Sequence, residues 1–186
     1  MGSLPLHPAI VHLPLGLAVL IPALAAGFGW ALWTGRVRPR AWLAVVALQA
    51  LLVGSGLFAM NTGEAEEDTV EAVVRKAAIH RHEEYAEQFV LAAGVTLALA
   101  MFVFLTRRPA AVRALTVVVV AGTVAVAALA VRVGRAGGEL VYLHGAASAY
   151  LPGASQSSCA QSGPNNSEGC GARTFSSPHA RSSAGQ

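Results

Sequence analysis

Residues 4–33 read LPLHPAIVHLPLGLAVLIPALAAGFGWALW, without one acid, lysine or arginine. A helix needs roughly 20 apolar residues to cross the hydrocarbon of a bilayer, so a run of this kind is long enough to span. The pattern then recurs. No charged residue falls within 41–63, 88–106 or 114–131. Four such blocks in one short chain predict four transmembrane helices. The composition agrees: the 186 residues are 54% hydrophobic and 12% charged, with a mean hydropathy of +0.54. Soluble domains carry about twice that charged fraction. A secretory leader is the rival reading of the first block, with cleavage after Ala25-Ala26, but no basic segment precedes the apolar run.

Charge then orients the blocks. The first connection carries Arg36, Arg38 and Arg40, the third carries Arg107, Arg108 and Arg113, and neither holds an acid. The positive-inside rule places both in the cytoplasm. The N-terminus, the acidic second connection and the C-terminal tail then face outward, to the periplasm or its equivalent. The net charge of +3 is small and scattered, and nucleic-acid binding has no support.

Within the first span Pro8 suits a helix start, while Pro14 and Pro22 would free the carbonyls of Ile10 and Ala18 and kink the helix. Trp30, Trp33 and Trp42 are expected at the inner interface. Gly54-Ser55-Gly56 would let a neighbouring helix approach, and Asn61-Thr62-Gly63 would end the second span. From Glu64 to Ala86, Val70, Val73, Val74, Ala77 and Ala78 recur at helical spacing, which predicts a short surface helix between spans 2 and 3. Gly137-Gly138 would turn the chain after span 4, with an interfacial segment over Leu140–Tyr150. The expected architecture is an all-α, four-helix transmembrane bundle over 1–150. A disordered Ser/Gly-rich C-terminal tail follows over 151–186, carrying Cys159 and Cys170, which could pair or stay free thiols.

The histidines are His7, His12, His80, His82, His144 and His179. Setting aside His179 in the tail, all approach the outer face, from the start of span 1, the start of span 3 and the segment after span 4. His12 lies about one turn inside an uncharged span, where a polar group is costly unless it finds a partner in the bundle. His80 and His82 point to different faces of a helix, and His82 is the better placed. Imidazoles converging at one end of a bundle can hold a metal or a haem. The plainer alternative is that they hydrogen-bond to freed carbonyls, Glu83 or water. The chain has no phosphate-cradling glycine loop, no His-Glu-x-x-His and no nucleophile elbow, so an enzyme is not the favoured class. Acids 64–68 read as a solvated face.

Three ordered stretches carry a resemblance: Leu6-His7-Pro8-Ala9-Ile10-Val11-His12-Leu13-Pro14-Leu15-Gly16, Thr62-Gly63-Glu64-Ala65-Glu66-Glu67 followed by His82-Glu83, and Gly137-Gly138-Glu139-Leu140-Val141-Tyr142-Leu143-His144-Gly145. Residues 4 to 150 thereby resemble domain-of-unknown-function family 2231, small bacterial inner-membrane proteins. The resemblance implies four spans and no settled activity. It carries over His7, His12, His82 and His144, and the joining of some relatives to c-type cytochrome modules suggests redox work outside the cytoplasm. The leading expectation is a membrane redox bundle with haem b between His12 and either His82 or His144, or a transition metal on His7, His12, His82 and His144. The alternative is a non-catalytic subunit or scaffold for a c-type cytochrome or other periplasmic redox protein. A transporter is a third class, but no charged residue lies mid-span to couple ion movement.

Overall fold

The computed structural model describes residues 6–150. They form a short helix α1 (His7–Ile10), the long helices α2 (His12–Trp33), α3 (Leu43–Glu71), α4 (Lys76–Leu105) and α5 (Pro109–Tyr142), and 3-10 turns at Pro39–Trp42 and Ala146–Tyr150. The four long helices, α1 counted with α2, are each long and apolar enough to cross a membrane. The expected tail, with Cys159, Cys170 and His179, lies outside the described residues.

Each long helix packs against its neighbours in sequence, and α2 closes the ring against α5. Two apolar layers fill the middle. Leu17, Ile21, Leu52, Phe89, Ala93 and Val126 form one, and Ala25, Val45, Ala100, Val103 and Val119 the other. Only 28–33% of the most apolar window of each span is buried in the bundle. The remainder is exposed Leu, Val and Phe, for example Leu91 and Phe102, a surface that only lipid covers without cost.

The threonines of this core satisfy themselves locally. Thr96, Thr116 and Thr123 donate their hydroxyls to the carbonyls of Ala92, Val112 and Val120 one turn back. Close helix approaches occur at glycines. A Cβ on Gly29 would lie 2.5 Å from Thr116 Cγ2, and one on Gly122 would lie 2.9 Å from Thr96 Oγ1. In the Gly54-Ser55-Gly56 stretch it is Gly56 that meets α4, 3.2 Å from Val90 Cγ2, whereas Gly54 faces open space.

Several local expectations need correction. Trp42 is an anchor inside the bundle, 1% exposed, with its indole N–H donating to the Ala100 carbonyl at 2.9 Å. Pro14 falls in the first turn of α2, after a break at Val11, where a missing N–H costs little. The glycines expected to stop helices do not stop them. Gly63 lies inside α3 and Gly137-Gly138 inside α5. The segment Glu64–Ala86 is helical, as its spacing predicts, but it is shared out between the extended ends of α3 and α4. The chain turns at 72–75, and Val74, Ala78, Ile79 and Ala146 form a small third apolar cluster beside that turn.

Candidate functional site

The ends of α3 and α5 and the starts of α1 and α4 meet at one end of the bundle, which we call the histidine end. Extension of α3 past Gly63 creates the site. Ala59, Thr62, Gly63 and Glu66 recur every three or four residues, so they share one face. That face receives α1. The Nδ1–H of His7 donates to the Ala59 carbonyl at 2.9 Å, with Thr62 Oγ1 at 3.3 Å. With Nδ1 as donor, the lone pair of the ring is on Nε2. The ring lies against the backbone of Gly63, where a Cβ would sit 3.2 Å from His7 Cε1.

Glu66 anchors the same segment from the side. Its Oε1 accepts the backbone N–H groups of Leu6 at 2.7 Å and His7 at 3.2 Å. Its Oε2 accepts the Tyr150 hydroxyl at 2.9 Å. One carboxylate therefore ties both ends of the described chain to α3. Burial, together with the bond to the negative carboxylate, pushes the Tyr150 phenol up to about 12.

His82 enters from α4. Its ring lies 6.3 Å from that of His7, centroid to centroid, with the planes at 88°. It packs against Gly137 of α5, where a Cβ would stand 3.3 Å from Cε1. The backbone carbonyl of Val133 faces the ring, whereas Nδ1 is buried and meets no hydrogen-bond partner. A buried polar atom left unpaired costs about 1–3 kcal/mol, so this nitrogen calls for an explanation. Outside the pair, Arg81 bridges to Glu139 at 2.6 Å, and His80 reaches Glu83 at 3.0 Å on the exposed face.

The imidazole beside His82 is thus that of His7, which the expected metal set included, whereas the haem expectation paired His82 with His12. His12 is exposed on the first turn of α2, and His144 is half-buried after α5, its backbone N–H on the Glu139 carbonyl. Residues 7 and 12 are five apart, roughly 140° around a helix, so they leave the backbone in different directions. Among the described residues, no three His, Cys, Asp or Glu side chains are grouped to share one metal ion. Glu66 was missed, because an acid within an acidic run reads as solvated. The signal for it was its helical register with Ala59 and Thr62. Gln49 was also missed. It is 1% exposed in mid-bundle, with Nε2 donating to the Ala93 carbonyl and Oε1 unpaired.

A family model described as Predicted membrane protein (DUF2231) matches residues 3–149. No curated protein and no solved structure matches the chain.

Proposed function

The chain belongs to this family of predicted membrane proteins, and on that premise we propose that it is a membrane-embedded bundle that holds one transition-metal ion between His7 and His82. The observation that carries the reading is the pair of free ring nitrogens. Metal-binding histidines usually give one ring N–H to a carbonyl and present the other nitrogen to the ion. His7 has that arrangement toward Ala59, and His82, whose ring neighbours it, keeps a buried Nδ1 unpaired. Ring spacing supports the same assignment. Metal–nitrogen bonds of about 2.0–2.1 Å put two ring centroids roughly 6.4 Å apart when the ligands are opposite each other, and roughly 5.2 Å apart at a tetrahedral angle. The spacing of 6.3 Å matches the first. Two opposed imidazoles suit monovalent copper, which accepts two-coordinate nitrogen donors.

A bare ion suits the site better than haem b. Each ring already occupies the space a Cβ on Gly63 or Gly137 would need, at 3.2 and 3.3 Å, and a macrocycle would have to part those helices. By the positive-inside rule the site belongs on the outer face. Its test is a competition titration of the detergent-purified full chain with Cu(I) and a chromophoric chelator. One ion per chain is expected, with affinity falling at least about tenfold in His7→Gln and in His82→Gln, as loss of a ligand or its support does. His12→Gln should bind as the wild type. Failure to bind one equivalent would sink the proposal, and a Soret band in the purified protein would restore the haem reading.

A second reading is favoured by the hydrogen bonds of His7 themselves. With Glu66 and Tyr150 they form a clasp, which would suit a non-catalytic scaffold for a periplasmic redox partner. That reading gains if a cytochrome co-purifies while the chain binds no metal.

A further inference from the structure

The opposite end of the bundle carries a second candidate site. Its two connections hold Arg36, Arg38, Arg40, Arg107, Arg108 and Arg113 and no acid, and all six side chains are exposed. Among the described residues, none of them belongs to an ion pair. Arg36 lies on the face of Trp30, 4.1 Å from the ring centroid.

Between the two connections opens a cleft of about 510 Å³, walled by Leu32, Trp33, Trp42 and Phe104 and edged by Arg107 and Arg113. A second, apolar groove of about 200 Å³ runs between α2 and α5 past Ala26, Val117 and Val120. Trp33 lines both. The groove follows α2 for the eight residues from Trp33 back to Ala26, about 10 Å at the rise of a helix. A cationic compartment thus adjoins, at Trp33, an apolar one of a length that takes part of a fatty chain.

We propose that this end binds an anionic phospholipid, its phosphate on Arg107 and Arg113 and one acyl chain in the groove between α2 and α5. Guanidinium groups bind phosphate oxygens in a bidentate fork, which makes arginine apt for this task. Basic pockets between spanning helices are a common seat for anionic headgroups. A free phosphate would leave the apolar half unused. A soluble acidic protein would not reach a groove that opens among lipid-facing residues. The site shares no residue with the histidine end and stands independently of the metal proposal.

The test uses the quenching of tryptophan, since Trp30, Trp33 and Trp42 all lie at this end. The full chain in detergent is titrated with phosphatidylglycerol brominated on its acyl chains, and separately with brominated phosphatidylcholine. Half-quenching by the anionic lipid is expected at roughly 30-fold lower mole fraction, as two basic groups near a lipid surface provide. The preference should vanish in Arg107→Gln/Arg113→Gln and persist in Arg132→Gln, which changes the other end. Native mass spectrometry of the wild type, free of any variant's folding, should retain phosphatidylglycerol and shed phosphatidylcholine. Equal quenching by the two lipids, a preference that survives the double substitution, or displacement of the lipid by millimolar inorganic phosphate would each overturn the assignment.

Discussion

Replacing Glu66 by alanine removes a carboxylate that accepts three hydrogen bonds. The Leu6 bond is short but exposed, so water replaces it at little cost. The His7 N–H and Tyr150 hydroxyl bonds are part-buried and count more. At about 1 kcal/mol net for each of these two, the loss is about 2 kcal/mol. It acts locally, because the four long helices do not depend on Glu66. By the usual conversion of about 1.4 kcal/mol per factor of ten, the segment around α1 should open roughly 30 times more often. Hydrogen–deuterium exchange with peptide resolution reads this directly. The amides of Leu6 and His7 should exchange roughly 30-fold faster in Glu66→Ala, with amides in mid-α4 unchanged. Copper affinity should fall as well, but by less, because His7 keeps its own bond to Ala59. Glu66→Gln retains an amide oxygen for the backbone N–H groups and a group for Tyr150, so it should behave nearly as wild type. If exchange at residues 6 and 7 is unaffected by Glu66→Ala, the carboxylate is not what holds α1, and the account of the clasp is wrong.

Three further outcomes follow from the same geometry. His82→Leu exchanges a ring with an unpaired buried nitrogen for an apolar side chain, so thermal stability should hold or rise slightly while metal binding is lost. A clear fall in melting temperature would show that the ring is a structural partner. Gly29→Ala pushes a methyl to 2.5 Å from Thr116 Cγ2 in a close-packed layer, and overpacking of this kind costs about 1–3 kcal/mol. Thr116→Ser removes that methyl yet keeps the hydroxyl bond to Val112, so the double variant should recover most of the loss in a thermal melt. Tyr150, raised to about 12, favours its neutral form in the folded protein. Its clasp bond is therefore fully present below the ordinary phenol range near 10 and is lost as pH climbs through about 12. Absorbance at 295 nm should show this late titration, and Glu66→Gln should bring it earlier. A titration curve indifferent to Glu66→Gln would contradict the assigned cause.

The fold was legible because hydrophobicity leaves a strong local signal. Four uncharged blocks give four spans, and short connections leave neighbouring helices antiparallel in a ring. Helix ends were harder to read. Gly63 and Gly137-Gly138 look like stop signals when propensity alone is weighed, since glycine costs a helix about 1 kcal/mol. Tertiary packing reverses the sign: a bare Cα is what lets an imidazole from another helix lie on the backbone at 63 and 137. Trp42 shows the same limit. A tryptophan at the edge of an apolar block reads as an interface anchor, yet an acceptor at Ala100, 58 residues away in sequence, satisfies its N–H in the interior.

The site depended on those helix ends: His7 and His82 both stood in the expected metal set, but the haem expectation rested on His12. His12 drew attention by its depth in the apolar run. Depth measures distance along the helix axis, and facing is an angular property: Val11 keeps helical backbone angles, so the five residues from His7 to His12 turn the side chain by roughly 140°. Had α3 been extended to Glu71, Ala59, Thr62, Gly63 and Glu66 would have lined up as one polar face with an unfilled groove at the glycine. The helix carrying His12 starts one residue beyond α1, so the imidazole able to reach that groove is the one at position 7. His82 follows by the same logic. Counting from the start of α4 at Lys76, its place two turns along puts it opposite the late turns of α5, where Gly137 leaves room for a ring. Glycines opposite histidines, rather than histidines at depth, are therefore the pattern to search for in chains of this kind. The proposal predicts that Gly63→Ala and Gly137→Ala will weaken copper binding even where the alanine strengthens the helix, a split between affinity and stability that a purely structural clasp would not produce.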